Sequence, residues 1–291
     1  MFNKDRIEFF FFINLTRLLK ILGLKGTRKF ARFIGTLIYF FIPIRKETVL
    51  NNLRIAFPQK TEKEIKKICR NNYINISITF LELMLFPYLE IEHVKQQVKF
   101  SDLEIIKETL KEGKGLILLT GHFGNWELLV LAVSANIKMN YNILVKPQRN
   151  KYITEWLKET RHKGNINIIP LGISVKEVFK ALQKNEVVGI AGDQRGHVDS
   201  RRYNFFDHPT ALYTGPASIA LKTSSPVIMV FYKRTKEDKY ICHVEKLNTK
   251  DLPENYEDQV VVLTERYMKT LEKVVAENPE QYFWMHKLWK Y

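Results

Sequence analysis

Apolar residues recur along this chain in two rhythms, one every three to four positions and one in short unbroken runs. The first marks amphipathic helices and the second buried strands. Helical spacing covers Thr48–Phe57, and Thr61-Glu-Lys-Glu64 is a capping box that opens a longer helix to about Leu85, closed by Pro87. Ser101-Asp-Leu-Glu104 is a second box, with its helix ending at Gly113. The rhythms then alternate. Strands are predicted at Leu116–Thr120, Asn142–Val145, Asn167–Pro170 and Glu186–Ala191, with helices at Asn125–Asn136, 150–163 and, from a third capping box at 174–177, to Lys184. Residues 193–213 are predicted as one long loop, followed by a helix from Pro216 to Thr223. Val227–Tyr232 and Tyr240–Leu247 are predicted as strands, and a final long helix spans Tyr256–Glu277.

Short apolar strands separated by amphipathic helices predict an α/β fold with a mostly parallel, mixed sheet flanked by helices. Tyr240–Leu247 follows its neighbour too closely for a crossover helix, so an antiparallel edge strand is expected there. No internal repeat, linker or low-complexity tract interrupts the pattern. The expected organisation is a helical N-terminal segment, residues 1–46, ahead of a single catalytic domain, residues 47–291.

The N-terminal segment changes the picture. Phe9-Phe-Phe-Phe-Ile13 is soon broken by Arg17 and Lys20. The charge-free run 33–44 is shorter than the about 20 residues that a spanning helix needs. Aromatic residues dotted with Lys and Arg suit a helix lying in a membrane interface. Core-packed helices and a tilted single span are the alternatives. The formal charge of +15 calls for an anionic partner, and the chain carries no nucleic-acid signature, so an anionic membrane or glycolipid is expected and nucleic acid is not. Trp284, Trp289 and Tyr291, with Lys287 and Lys290, have the composition of an interfacial belt, or of a terminal helix packed on the domain. Cys69 and Cys242 sit in apolar patterns outside any paired motif and are expected as reduced core thiols.

The candidate chemistry lies in Leu116-Ile-Leu-Leu-Thr-Gly-His-Phe-Gly-Asn-Trp-Glu127. On one continuous helix His122 and Glu127 would lie about 140° apart. They converge only if His122 sits in a turn before a helix that begins near Asn125. In that arrangement Glu127 orients the imidazole and raises the basicity of its other nitrogen, making His122 a general base. N–H groups at the helix start are placed to hold an oxyanion. The plain alternative is a histidine satisfied in a turn and a glutamate favoured by the helix dipole.

His122-Phe-Gly-Asn-Trp-Glu127 resembles the histidine–four residues–glutamate signature of the glycerolipid acyltransferase superfamily, and its extended form resembles the bacterial lipid A late acyltransferases. Arg161-His-Lys-Gly164, Gly192-Asp-Gln-Arg195, Phe205-Phe206 with Thr214-Gly-Pro-Ala217, Pro279-Glu-Gln-Tyr-Phe-Trp284 with His286, and Asn51-Asn-Leu-Arg-Ile-Ala-Phe-Pro58 resemble further family blocks in order and spacing. His208, Arg195-Gly196 and Lys287-Leu288 depart from the family pattern on what the resemblance makes the acceptor side.

The resemblance implies acyl transfer without an acyl-enzyme and without a cofactor or metal. The donor would be acyl carrier protein or acyl-coenzyme A, and the acceptor a hydroxyl of an anionic glycolipid such as a lipid A precursor. The reaction would take place on the cytoplasmic face of the inner membrane. His122 and Glu127 would be catalytic. Arg161, Asp193, Gln194, Asn125, Gly124 and Arg202 would bind substrate, with Asp193 orienting Arg161 or the acceptor. Two other classes are set against this reading: a metallohydrolase using His122, Glu127 and Asp193, and a non-catalytic lipid-binding module.

Overall fold

The computed structural model describes residues 4–42, 44–137, 139–162, 164–171 and 175–290. Pro43, the expected end of the N-terminal unit, Ser174 of the third capping box and Tyr291 lie outside them.

In chain order the elements are α1 (Lys4–Phe41), α2 (Lys46–Ala56), α3 (Glu62–Leu83), α4 (Ile91–Gln97), β1 (Val98–Phe100), α5 (Leu103–Lys111), β2 (Leu116–Thr120), α6 (Trp126–Asn136), β3 (Tyr141–Val145), α7 (Lys151–His162), β4 (Ile166–Pro170), α8 (Val175–Gln183), β5 (Val187–Ala191), β6 (Arg202–Phe205), β7 (His208–Ala211), α9 (Gly215–Thr223), β8 (Val227–Arg234), β9 (Tyr240–Lys246) and α10 (Tyr256–Glu277). The predicted α/β architecture is observed: a seven-stranded sheet in the order β1-β9-β8-β2-β5-β3-β4, with helices on its faces. The strands β8, β2, β5, β3 and β4 are mutually parallel. Leu116, Ile117 and Leu118 of β2 and Val187 and Val188 of β5 are fully buried, as central strands covered on both faces require.

Three expectations are corrected. β9 is antiparallel to β8, as predicted, but it is not the edge, because β1 pairs with it in parallel and takes that place. β1 and α4 went unpredicted because a strand of three residues and a helix of seven are too short to show a rhythm. The second capping box fails by one residue: Asp102 caps α5 by accepting from Ile105 N, while Ser101 Oγ accepts from Val244 N in the sheet. The expected loop 193–213 contains the hairpin β6–β7, whose two turn residues, Phe206 and Asp207, both have positive φ (52° and 57°). That is the geometry of a tight hairpin turn made without the usual glycine, so the common sequence signal was missing.

α1 is bent at Gly23, whose φ of 62° and ψ of −179° are non-helical. One side of α1 packs along α3, with Leu19 and Ala31 fully buried beside Ile78 and Leu81. The other side is apolar and open: Ile7, Phe11, Leu18, Ile21 and Leu22 recur at helical spacing and are exposed, Ile21 by 82%. Phe40 and Phe41 extend this exposed character to the end of the helix. No helix among the described residues is long and apolar enough to cross a membrane. Of the two readings of Trp284, interfacial belt or terminal segment packed on the domain, burial favours the second: it is fully buried, its Nε1 donating to Pro279 O at 2.6 Å. Cys69 and Cys242 are buried free thiols, and burial pushes Cys69 up to about 12.

Candidate active site

Two central strands end level with one another. Thr120 of β2 is in register with Ala191 of β5, and each is followed by a glycine and then a polar residue, His122 and Asp193. Parallel α/β sheets bind ligands beyond the carboxyl ends of their strands, and this pair lies there. The Asp193 carboxylate accepts from His122 Nδ1 and from the His122 backbone N–H, both at 2.7 Å. The buried Tyr282 hydroxyl lies near this carboxylate, and burial, together with the carboxylate's charge, raises the phenol well above its ordinary pKa. Because a carboxylate can only accept, the Nδ1 proton is fixed and Nε2 is left as the basic nitrogen of the neutral ring.

The electrostatics follow from this geometry. Burial by itself pulls the His122 pKa down, but the charge and hydrogen bond of Asp193, with a further contribution from Glu127, raise it above the ordinary histidine value. Burial would raise the Asp193 carboxyl, yet His122 holds it below the usual range. His286, whose ring centroid is 5.8 Å from that of His122, is lowered by burial and then by the neighbouring imidazole.

Glu127 does not make the bond to His122 that its spacing suggested. From the first turn of α6 it accepts from Arg161 Nη2 at 2.7 Å, across to the last turn of α7. The orienting carboxylate is Asp193, and the partner of Arg161 is Glu127, so the two acids exchange their expected roles. The reason is topological: β2 and β5 are adjacent, which no spacing within residues 116–127 reveals. Among the described residues no three His, Cys, Asp or Glu side chains are grouped to hold a metal.

A cavity of about 480 Å³ opens beside the pair. His122, Trp126, Glu127, Arg161 and Gln194 line it, and Leu129, Val130, Ile143, Leu144, Ile168 and Ile190 give it apolar walls. Its volume falls in the range of about 300–1,000 Å³ found for small-molecule sites. Lys146 and Lys158 also line it. Tyr141 closes one part, its hydroxyl 2.6 Å from where a Cβ on Gly189 would be.

The other expected site residues are placed differently. Asn125 is 1% exposed and caps α6: its Oδ1 accepts from Leu128 N at 2.9 Å and its Nδ2 donates to Glu82 at 2.5 Å, so both polar atoms are engaged within the protein. Gly124 serves the turn through its backbone, N–H to Gln281 O at 2.8 Å and carbonyl to Thr79 Oγ1 at 3.0 Å. Arg202 lies on the β6–β7 hairpin and does not line the cavity.

Sequence reasoning missed the strap that holds the turn from outside. Residues 279–286 run beside it, with Phe283 N donating to His122 O at 2.9 Å. Asn72 Nδ2 donates to the carbonyls of Glu280 and Tyr282, and Asn52 Nδ2 to those of Trp284 and His286. The upstream Asn51-Asn52 block and the C-terminal block, resembling one family separately, thus meet in space around His122.

The sequence matches the family described as bacterial lipid A biosynthesis acyltransferase over residues 3–291. It is 24% identical to a lipid A biosynthesis palmitoleoyltransferase of Escherichia coli K12, over 93% of this chain and 85% of that one. It is 25% identical to the lipid A biosynthesis lauroyltransferase of the same organism, over 88% and 83%. A lipid A biosynthesis acyltransferase of Haemophilus influenzae is 24% identical, over 81% and 73%. With nearly the whole length matched, the chain belongs to the bacterial lipid A biosynthesis acyltransferase family.

Proposed function

We propose that this protein transfers a fatty acyl chain from an acyl thioester, carried by acyl carrier protein, to a hydroxyl of an anionic glycolipid of the lipid A precursor type. The observation that carries this reading is the His122–Asp193 pair at the mouth of an apolar cavity, in a chain of this family. His122 Nε2 takes the proton of the acceptor hydroxyl. The oxygen attacks the thioester carbonyl, and the tetrahedral intermediate collapses, breaking the C–S bond. The departing thiolate takes the proton from the imidazolium, so the enzyme returns to its starting state. Arg161, braced by Glu127, offers its guanidinium to an anion in the cavity, whether a phosphate or the developing oxyanion. The acyl tail lies along Leu129, Ile143, Ile168 and Ile190 toward Tyr141.

The exposed face of α1 rests on the bilayer, with Phe11 and Ile21 in the acyl boundary and the exposed Arg17, Lys20 and Lys25 meeting lipid phosphates. Acyl carrier protein as donor puts this on the cytoplasmic leaflet. Residues 1–46 then form the anchor and 47–291 the catalytic unit.

The test is a reconstitution: purified protein on anionic vesicles containing the glycolipid, supplied with acyl carrier proteins bearing different chains. Mass spectrometry should find the acceptor heavier by one acyl group. Vesicle binding without product from any thioester would instead favour a lipid-binding module.

Gly189→Leu probes the acyl slot. Even a Cβ at position 189 would approach the Tyr141 hydroxyl to 2.6 Å, so a leucine must fill cavity space. The longest accepted chain should lose transfer rate at least about tenfold more than a chain shorter by four carbons, since about 0.8 kcal/mol of burial is lost per displaced methylene. Equal losses for both lengths would move the tail elsewhere.

A further inference from the structure

Glu82 of α3 is 1% exposed and has three donors around its carboxylate. Arg28 Nε reaches it from α1, Asn125 Nδ2 from the start of α6 at 2.5 Å, and the Tyr240 hydroxyl from β9 at 2.5 Å. One helical turn earlier on α3, Thr79 donates to Gly124 O at 3.0 Å. Two residues of one helix therefore grip two successive residues of the turn that carries His122.

Stability is a weak reason to keep such a group. A buried ion pair is commonly no more stable than well-packed apolar side chains of the same volume. What the contacts have in common is position. Arg28 belongs to the helix whose outer face is exposed and apolar, and it is itself only 4% exposed. Asn125 lies between the two residues whose placement the site needs, three positions after His122 and two before Glu127. Its two polar atoms are divided between jobs, Oδ1 capping α6 and Nδ2 tying the cap to Glu82.

We propose that Glu82 and Arg28 are positioning residues: Arg28 on the lipid-facing helix fixes Glu82, Glu82 fixes Asn125, and Asn125 sets the turn so that His122 meets Asp193 and Glu127 meets Arg161. The seating of α1 on a membrane is thereby linked to the geometry of the site. The importance of the turn rests on the acyl-transfer reading, but the linkage can be measured without it.

Asn125→Ser separates the two jobs. Serine caps a helix about as well as asparagine, but its side chain is too short to reach Glu82. Glu82→Gln cuts the other link: its oxygen can still accept from Asn125, while its amide N–H₂ is turned toward the Arg28 cation. Each variant is compared with wild type on vesicles for kcat, KM and thermal midpoint. The His122 imidazole is titrated by NMR in parallel, its signal identified by its loss in His122→Gln. Asn125→Ser should lower kcat at least tenfold with KM within twofold, and His122 should titrate at lower pH as its contact with Asp193 loosens. Glu82→Gln should show the same signs to a smaller degree. A lowered midpoint with kcat and the His122 titration unchanged means that the cluster only stabilises the fold, and overturns the proposal. If Asn125→Ser does not yield folded protein, Glu82→Gln decides on the same two readouts. If no protein, wild type included, transfers an acyl group, the enzymatic reading fails, and the His122 titration alone decides the linkage: a shift to lower pH in the variants supports it and an unchanged titration overturns it.

Discussion

Asp193→Asn should cost nearly as much transfer rate as His122→Ala, about 10²–10⁴-fold in kcat for either, the range that general-base catalysis supplies. The shape of the side chain barely changes, so the loss follows from hydrogen-bond polarity. Asp193 accepts from two donors, the Nδ1–H and backbone N–H of His122, one on each oxygen. Asparagine has a single oxygen. If it keeps the backbone N–H, its N–H₂ faces Nδ1, the ring moves its proton to Nε2, and the base is blocked. If it keeps Nδ1–H, a buried backbone donor faces another donor and the turn is strained. The pH profile separates this from simple unfolding. In the wild type Asp193 raises the His122 pKa, so the acid limb, where protonation removes the base, lies above the ordinary histidine value. Without Asp193 the lowering effect of burial is left, and the limb should move to lower pH even as the plateau falls. Rate against pH for both proteins on the same vesicles is the measurement. An acid limb that stays in place would mean that another group tunes His122.

The fold was largely visible in the chain because its rhythms are long. β2 and α10 occur at the predicted residues, and α6, α7 and β3 within one residue at either end. A helical N-terminal segment was legible from the chain, and the thirty-eight-residue α1 is there; which of its sides packs was not, because burial against α3 depends on where α3 lies. The site was half legible. His122 stands out beside a glycine after a buried strand, and Arg161 lines the same cavity. Which carboxylate serves which partner was hidden, since Glu127 is five residues from His122 while Asp193 is seventy-one away on the neighbouring strand. A usable signal was present. Leu-Leu-Thr-Gly-His and Gly-Ile-Ala-Gly-Asp are two buried strands, each ending in glycine and then one polar residue, and adjacent parallel strands with matching ends bring such residues together. The Asn52 and Asn72 clamps left no such mark, because a single asparagine on a helix looks the same whether it meets water or a distant carbonyl.

Gly124→Ala should be the most damaging small substitution in the chain, and Gly113→Ala measures how much of that damage is local. Both glycines have positive φ, 60° and 73°. An L-residue in that region costs roughly 1–2 kcal/mol at either place. At Gly113 an added Cβ meets nothing within 4 Å. At Gly124 it would lie 1.4 Å from the carbonyl oxygen of Tyr232, a backbone atom in the middle of β8. Neither partner can yield cheaply: Tyr232 is held between the sheet's hydrogen bonds, and Gly124 between Gln281 O and Thr79 Oγ1. Forcing the methyl in adds the cost of overpacking, about 1–3 kcal/mol or more. At about 2–4 °C per kcal/mol, Gly113→Ala should lower the thermal midpoint by about 2–8 °C and Gly124→Ala by about 4–20 °C. Activity should separate them further. The folded fraction of Gly113→Ala keeps wild-type kcat, whereas a turn displaced from β8 carries His122 away from Asp193, so Gly124→Ala should approach the rate of His122→Ala even well below its midpoint. A Gly124→Ala protein that folds and turns over normally would show that the close approach of this turn to β8 is not what places the base.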